Sequence, residues 1–549
     1  EMLRFNVMWL LLLICPALAL DSLEVETPLG KVLGKDYGGF LAFKGVPYSE
    51  PPQRFEAPHA KLPWTGTWNG TKFGNSCIHG FSHHDPDPLE SYVESEDCLY
   101  ANVWVPKGKE LQPLPVVVFI HEGGFVRNSG ATPNFWGDAF VTNEEAPAIL
   151  VTFNYRLGIF GFFSWNGTAA NVGFQDQQLL LRWVQQNIRA FGGDPDQVLL
   201  MGQSAGAMSV LCHVAAPSSA GLFHGAMANS PVGLHYRDRP ENDEFVRSVA
   251  HSLLCTGNVT LCLQKRPAKA LRDVDVVPEY LRHFTAPCPE CANVLAWLPI
   301  IDPQTLPLNP VVAIERKLHN IVPTIISTVT NETLAFVPSI FMKLGNNRLA
   351  YDKVLDLLFD DRAGKVAEFY SGSVTSITWA ERAGLATTDA LMTCFGRYVA
   401  RALAVHGGVS YLSTFMVQPH SSQMHQNKIC VQGPPDGASC HAADISYQIP
   451  VSQRMSSRTH LAYANEQESK LAETYAKAII DFAGGQSLSF IPYDQRHDFS
   501  TSWNLDGPGK MQHYHQVQCD FWEDIGYADV WKSLKSPFSH KELSQTVLV

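Results

Sequence analysis

Residues 198–210, with the sequence VLLMGQSAGAMSV, decide the fold of this chain. The apolar start, residues 198–201, predicts a buried strand, and the residues from Ala205 onward predict a helix. The stretch between them, residues 202–206 (GQSAG), matches the pattern G-x-S-x-G. A serine on such a tight strand-to-helix turn takes a strained backbone conformation that exposes its hydroxyl, and only small neighbours fit around it. The stretch therefore predicts a nucleophilic Ser204, although by itself a glycine-rich turn without chemistry stays open.

Strands and helices alternate on both sides of this stretch. Residues 116–120 and 148–151 are continuous apolar runs, which predict strands buried on both faces, as in a parallel sheet. Residues 174–191 carry apolar side chains at helical spacing. The alternation continues with predicted strands over residues 322–329 and 409–417 and predicted helices over residues 382–405 and 470–482. This order predicts an α/β fold with a mostly parallel central sheet flanked by helices. Because we find no repeat and no linker, we expect residues 20–549 to form one large domain.

Composition and charge exclude some classes of partner. The chain has 549 residues, of which 45% are hydrophobic, a proportion that suits a globular protein with a substantial core. The net charge is -12, with a sequence pI near 5.9 and without long runs of one sign. This balance argues against nucleic acids and anionic membranes as partners.

The first residues predict export from the cell. Arg4 precedes an apolar run over residues 7–14, and residues 17–19 (ALA) follow as a small-residue cleavage site. Residues 1–19 are therefore predicted to be a secretory signal peptide. No later stretch has the length of a transmembrane span, so we expect no stable membrane anchor. The twelve cysteines and the glycosylation acceptors Asn69, Asn166 and Asn258 are typical of the same extracellular route.

A serine nucleophile needs a base and an acid that orients the base. On sheets of this kind the partners follow the serine along the chain in the order acid, then histidine. Glu332 comes just after a predicted strand, and His441 follows the next strand and a glycine-rich connection. Both positions suit these roles, while an ordinary surface acid at Glu332 stays open. Asn331 also matches a glycosylation acceptor, but we expect it to be unmodified because it adjoins this buried acid.

The developing negative charge of such a reaction needs backbone N–H groups that can approach it closely. Residues 121–125 (HEGGF) directly follow the predicted strand over residues 116–120 and supply glycines for this purpose. Gly123 and Gly124 are therefore candidate donors. The third donor is expected to be the N–H of Ala205, next to the nucleophile.

These motifs stand beside several others: residues 43–48 (FKGVPY), 95–100 (SEDCLY), 154–158 (NYRLG), 191–195 (FGGDP) and 518–522 (QCDFW). With them, the chain resembles the type-B carboxylesterase and cholinesterase family of α/β-hydrolases over nearly its whole mature length. The resemblance implies an α/β-hydrolase fold with Ser204 as nucleophile, Glu332 as acid and His441 as base. It also implies an oxyanion hole formed by Gly123, Gly124 and Ala205.

The resemblance implies structural features as well. The disulfides that match family bridges are Cys77–Cys98, Cys255–Cys262 and Cys394–Cys519, and the matching ion pairs are Arg54 with Glu96 and Arg156 with Asp176. Cys288–Cys291 and Cys430–Cys440 are suggested by proximity alone, so the pairing of these four cysteines stays open. Cys212, within the helix after Ser204, is expected to be a buried free thiol. Asp444 matches a family carboxylate near the base.

We expect neither a metal nor a cofactor. The cluster His83, His84, Asp85 and Asp87 lies in a polar loop without a ligand spacing that is typical of metal sites. The pair Cys288 and Cys291 forms a lone C-x-x-C, whereas a zinc site needs further ligands. A short structural disulfide explains that pair better.

The chain departs from the family pattern at several positions. Glu122 replaces the first of the family's usual three glycines, a common variant that leaves the two donating glycines intact. Ala438 stands where the family usually has a glycine three residues before the histidine, with Gly437 beside it. Cholinesterases have glutamate before the serine and a tryptophan in the first disulfide loop, whereas this chain has Gln203 there and a loop over residues 77–98 without tryptophan. A choline site, which depends on cation–π contacts, is therefore not expected.

The predicted function is a secreted serine esterase that forms an acyl-enzyme on small, neutral carboxylic esters. Two alternatives remain: a lipase acting on longer-chain esters, and a non-catalytic adhesion or binding protein on the same fold. All three triad residues and both glycines are present, which favours the enzyme. The expected partner is a small-molecule ester, and the oligomeric state is left open.

Overall fold

The computed structural model describes residues 23–79, 93–108, 113–143, 145–274, 296–335, 337, 341, 345–371, 377–418, 439–450, 463 and 465–532. Within these ranges the chain is built on an eleven-stranded mixed sheet, accompanied by a three-stranded and a two-stranded sheet near the N-terminus. The strands are β1 Glu24–Thr27, β2 Gly30–Leu33, β3 Lys35–Asp36, β4 Phe40–Pro47, β5 Thr67–Asn69, β6 Ser76–Cys77, β7 Glu94–Ser95, β8 Tyr100–Pro106, β9 Leu114–Ile120, β10 Ile149–Phe153, β11 Gly193–Gln203, β12 Gly225–Asn229, β13 Thr324–Val329, β14 Ser410–Phe415, β15 Phe499–Asn504 and β16 Gly507–Gln512.

The large sheet runs in the order β16-β15-β14-β13-β12-β11-β9-β10-β8-β4-β3. Its centre is parallel, from β10 through β9, β11, β12, β13 and β14 to β15. Antiparallel strands close both edges. The carboxyl ends of the parallel strands therefore meet on one side of the sheet, where ligand sites of α/β folds form.

Helices pack against the sheet and connect its strands. The α-helices are α1 Asp138–Val141, α2 Gly158–Phe162, α3 Val172–Asn187, α4 Ala205–Ala215, α5 Arg239–Ser252, α6 Val259–Lys265, α7 Ala268–Arg272, α8 Pro310–Glu315, α9 Arg348–Phe359, α10 Ala363–Ser371, α11 Trp379–Thr388, α12 Cys394–Val405, α13 Ile445–Gln448, α14 Glu466–Ala483, α15 Gln516–Asp524 and α16 Ala528–Trp531. The α/β class and the mostly parallel centre are confirmed.

The burial of β9 shows why its run of apolar residues forms a strand. Val116, Val118 and Ile120 belong to the hydrophobic core on one face of the sheet. Val117 and Phe119 belong to the core on the other face. Successive strand residues point to opposite faces, so a strand covered on both sides needs a continuous apolar sequence rather than an alternating one.

Two elements have different bounds in the structure from those that the sequence predicts. The strand expected at residues 198–201 already begins at Gly193, which pairs with Leu114 before the register shifts at Val198. The long helix expected over residues 382–405 is divided into α11, a π-helical segment Asp389–Thr393 and α12. The wider π-helical turn coincides with a buried Asp389, whose carboxylate binds His515 at 2.7 Å and Tyr370 at 2.6 Å.

The structure contains the three disulfides that the family resemblance implies, Cys77–Cys98, Cys255–Cys262 and Cys394–Cys519. Cys212 is a buried free thiol, as expected. Cys440 is also disulfide-bonded. Its predicted partner Cys430, together with Cys288 and Cys291, lies outside the described residues.

The two expected ion pairs are present. Arg54 forms a bidentate pair with Glu96. Arg156 donates from Nε and Nη2 to the two oxygens of Asp176, at 2.8 Å and 2.7 Å. Asp176 is fully buried and also accepts from the backbone N–H of Arg156 at 3.0 Å. Because both charges are out of water, each depends on the other for its stabilisation.

Replacing Asp176 tests this dependence. We expect Asp176→Ala to lower the free energy of unfolding by about 3–5 kcal/mol, because it leaves the Arg156 guanidinium buried without its carboxylate. Urea denaturation measures the change. Glu24→Ala is the control, since it removes an acid from the exposed pair Lys31–Glu24 and should leave the unfolding curve nearly unchanged. Equal effects of the two variants would contradict the interpretation.

Candidate active site

Ser204 lies at the sharp turn between β11 and α4. Its backbone has φ 54° and ψ -118°, a conformation that a non-glycine residue adopts only when the surrounding structure enforces it. On one side its N–H donates to Asn229 O at 2.9 Å, and on the other its carbonyl accepts from Met208 N at 2.9 Å. These bonds hold the turn, and the side chain is partly exposed at the carboxyl end of the sheet.

The two glycines of the motif have a steric explanation. A Cβ at Gly202 would lie 2.5 Å from the backbone of Gly206, inside van der Waals contact. A Cβ at Gly206 would lie 2.1 Å from Ile120 O and 3.0 Å from His121 O. The first turn of α4 therefore lies directly against the end of β9, and only glycine permits this approach. The contact brings the serine turn next to the loop that carries Gly123 and Gly124.

That loop is a tight turn built on two glycines. Gly123 and Gly124 have φ values of 112° and 62°, which L-residues rarely adopt. The carbonyl of Gly123 accepts hydrogen bonds from Val126 N at 3.1 Å and Arg127 N at 3.2 Å, which closes the turn. Ala205 is the first residue of α4, so its N–H has no acceptor within the helix. The positive, N-terminal end of the α4 dipole lies at this same N–H group.

Glu332, three residues after the end of β13, meets His441. Glu332 Oε2 lies 2.6 Å from His441 Nδ1, and Glu332 Oε1 accepts from Val329 N at 2.9 Å. Glu332 is fully buried, and the His441 side chain is 8% exposed. Because a carboxylate only accepts, Nδ1 of the histidine carries the proton and Nε2 is left as an acceptor.

Backbone contacts join the two loops that carry these residues. Asn331 and Cys440 form an isolated parallel bridge, and Asn331 N donates to Ser439 O at 2.9 Å. In return, Ser439 N donates to the hydroxyl of Thr330 at 2.9 Å. The separation between acid and histidine is therefore set by main-chain geometry rather than by the two side chains alone.

The histidine faces the serine turn. Its Nε2 lies 3.3 Å from Nε2 of Gln203, the residue immediately before Ser204. The Gln203 amide thus donates to the nitrogen that the tautomer leaves unprotonated. The structure brings the predicted acid, histidine and serine turn together at one edge of the sheet.

Two further carboxyl groups lie near His441. Asp444 is fully buried and accepts from Gln448 Nε2 at 2.7 Å; burial, together with the nearby Glu332, raises the pKa of Asp444 to about 7. Burial likewise raises the pKa of Glu122 to about 7. The sequence shows Glu122 as an acid that replaces a family glycine, but nothing in the pattern indicates that it lies near His441.

The predicted glycosylation acceptors differ in their exposure from Asn331, which was expected to be unmodified. Asn69, Asn166 and Asn258 are exposed, whereas Asn331 is 7% exposed.

In the described ranges, His, Cys, Asp and Glu side chains form no group of three or more that could hold a metal ion. The cluster His83, His84, Asp85 and Asp87 lies outside those ranges. Across the described part of the chain, we find no helix with both the length and the apolar composition to span a membrane.

The architecture, with a serine turn between a central parallel strand and a helix, is that of the α/β-hydrolase fold. A solved structure of PNB esterase matches it with a TM-score of 0.75 at 26% identity, covering 91% of this chain and 99% of that chain. Residues 21–522 match the carboxylesterase family. The chain belongs to this family of carboxylic ester hydrolases.

Individual relatives share shorter stretches with the chain. It is 35% identical over 372 residues to the para-nitrobenzyl esterase of Bacillus subtilis (strain 168), covering 64% of this chain and 71% of that protein. It is 41% identical over 228 residues to the juvenile hormone esterase of Tribolium castaneum, covering 40% of this chain and 38% of that protein. It is also 41% identical over 235 residues to the acetylcholinesterase of Danio rerio, covering 40% and 37%.

Gly206 provides a test of the serine turn. We expect Gly206→Ala to lower the free energy of unfolding by about 1–3 kcal/mol or more, because the new methyl group meets the carbonyl of Ile120. Ester hydrolysis should fall as well, since α4 must move away from β9. Thermal and urea unfolding measure the first effect.

The control is Gly364→Ala in α10, where a Cβ would meet nothing within 4 Å. This variant should be as stable as the wild type or slightly more stable, because alanine favours the helix. A Gly206→Ala protein with wild-type stability and activity would contradict the steric explanation.

Proposed function

We propose that this protein hydrolyses carboxylic esters through Ser204, with His441 as base and Glu332 as the acid that orients it. The observation that carries the proposal is the 2.6 Å contact between Glu332 Oε2 and His441 Nδ1, with His441 Nε2 facing the serine turn. In this mechanism His441 Nε2 takes the proton of Ser204 as Oγ attacks the ester carbonyl. His441 then gives the proton to the leaving alcohol, and an acyl-enzyme remains. Water repeats the cycle and releases the acid.

The surroundings of the histidine support this proton transfer. When Nε2 accepts the proton, the imidazole becomes positively charged, and the buried Glu332 carboxylate stabilises that charge at 2.6 Å. Because Glu332 is out of water, this interaction is stronger than it would be at the surface. The hydrogen bond from the Gln203 amide must give way to the serine hydroxyl, since both need the same nitrogen.

Gly123, Gly124 and Ala205 are proposed as the oxyanion hole. The close contact between Gly206 and Ile120 O holds the serine turn against the glycine turn. Backbone donors held in this way need no reorganisation as the carbonyl oxygen becomes negative. The N-terminal end of the α4 dipole adds to the same effect.

We propose in addition that residues 1–19 are a secretory signal peptide, that residues 20–549 form the catalytic domain, and that the protein acts outside the cell. The three disulfides support this, because such bonds persist in oxidising compartments. The exposed positions of Asn69, Asn166 and Asn258 are compatible with glycosylation on that route.

The proposed substrates are small, neutral carboxylic esters with short to medium acyl chains. The residue before the serine is the uncharged Gln203, and the loop over residues 77–98 contains no tryptophan, so the sequence lacks both features that favour a quaternary ammonium group. The names of the relatives describe esterases with different substrates, which gives the family no single substrate class.

Ser204→Ala tests the nucleophile. We expect the hydrolysis of nitrophenyl butyrate to fall by about 10³-fold or more, because no acyl-enzyme can form. The control is Ser252→Ala, which removes an exposed hydroxyl from α5 and should keep wild-type turnover. Undiminished hydrolysis by a folded Ser204→Ala protein would overturn the assignment.

A substrate panel tests the proposed class. Nitrophenyl esters from acetate to palmitate are compared with acetylthiocholine and emulsified triglyceride, and the short esters are expected to give the highest kcat/KM. Preference for the emulsion would indicate a lipase, and rapid acetylthiocholine turnover would overturn the inference from Gln203. No hydrolysis at all, with Ser204 unreactive toward an organophosphate, would support a binding protein instead.

A further inference from the structure

Glu122 stands in the turn that carries the proposed oxyanion donors, at a position where family members usually have glycine. One carboxyl oxygen is held in place, because Oε1 accepts a hydrogen bond from Asn128 Nδ2 at 3.0 Å. The other oxygen, Oε2, is buried and has no hydrogen-bond partner among the described residues. A buried carboxyl oxygen without a partner is costly, so this arrangement needs an explanation.

The chain around Glu122 places it beside the serine turn, because a Cβ at Gly206 would lie 3.0 Å from the carbonyl oxygen of the neighbouring residue His121. Arg127, and His441 in its protonated form, favour the carboxylate form of Glu122, together with its own backbone N–H and the Asn128 amide. Burial opposes them and is the larger effect on its pKa. Burial raises the pKa of the Tyr155 phenol above its ordinary value, and the negative charge of Glu122 raises it further. Glu122 is therefore within electrostatic reach of the proposed base.

The proximity to His441 indicates which part of the substrate Glu122 meets. In the proposed mechanism His441 returns its proton to the leaving alcohol oxygen, so the alcohol part of the ester lies on the histidine side of Ser204. Gln203, which touches His441, also carries a buried amide oxygen without a hydrogen-bond partner in the described ranges. Glu122 and Gln203, which lie in the two turns of the proposed site, thus each carry an acceptor oxygen without a partner in the described residues.

We propose that Glu122 is a specificity-determining residue whose Oε2 accepts a hydrogen bond from a hydroxyl group on the alcohol part of the ester. This inference rests on the proposed function and names its substrate class: monoesters of diols and other polyhydroxy alcohols. A site with a buried acceptor discriminates strongly against a substrate that lacks the matching donor, because the acceptor then stays unpaired. A neutral hydroxyl suits the site better than a quaternary ammonium group, which has no N–H to donate.

A matched pair of substrates tests the proposal. Hydroxyethyl butyrate and propyl butyrate differ by a hydroxyl in place of a methyl group, and acid release in a pH-stat measures kcat/KM for each. We expect the wild type to prefer the hydroxyethyl ester about tenfold or more, as a hydrogen bond to a charged group implies. The preference should increase as the pH rises through 7, because the carboxylate accepts a hydrogen bond more strongly than the neutral acid.

Using the ratio of the two substrates removes effects that they share. Any ionisation that changes both rates in the same way cancels in the ratio, so the remaining pH dependence belongs to the group that distinguishes the substrates. Glu122→Gln keeps the shape and one acceptor but does not ionise, so its preference should be smaller and independent of pH. Glu122→Gly restores the usual family residue and should abolish the preference.

Glu244→Gln is the matched control, because it removes one negative charge from an exposed site on α5. It should keep both the wild-type preference and its pH dependence. If Glu122→Gln and Glu122→Gly also keep them, or if the wild type shows no preference, the proposal is wrong. Should Glu122→Gly fail to fold, the isosteric Glu122→Gln protein decides alone. Failure of the folded wild type to hydrolyse propyl butyrate would instead contradict the proposed function.

Discussion

The structure depends on the close approach of α4 to the end of β9. Gly206 has its α-carbon against the carbonyl of Ile120, and no larger residue fits at the observed separation. This contact sets the angle at which the chain leaves β11, and with it the positive φ of Ser204. It also sets the distance between the serine turn and the turn of Gly123 and Gly124. The strained backbone of Ser204 and its position beside Gly123 and Gly124 thus both follow from the close contact between Gly206 and Ile120.

Hydrogen bonds between loops complete the arrangement from the other side. The bridge between Asn331 and Cys440 ties together two chain segments that are 109 residues apart in sequence, and the acid and histidine follow from it. The carboxyl groups around the histidine differ in their surroundings. Glu332 is held by Val329 N and the histidine, whereas Glu122 and Asp444 have pKa values raised to about 7 by burial. The charges of Glu122 and Asp444 therefore change near neutral pH.

Much of this could be predicted from the sequence, because strong local patterns determine the central elements. The apolar runs of β9, β10 and β13 identify buried strands, and the motif around Ser204 identifies the turn between β11 and α4. The boundaries were less certain. The start of β11 at Gly193 depends on pairing with Leu114, and the π-helical segment around Asp389 depends on His515 and Tyr370, which are remote in sequence. Local patterns contain no information about such partners.

The sequence by itself determined the fold class, the family and the candidate residues Ser204, Glu332 and His441, because residue type and chain order carry that information. Only the tertiary structure decided that Glu332 lies 2.6 Å from His441 and that Gln203 occupies the nitrogen facing the serine turn. It also decided that Glu122 has a buried oxygen without a partner in the described residues. Distances, burial and charge state arise when distant segments pack together, and packing is a property of the folded chain rather than of any stretch within it.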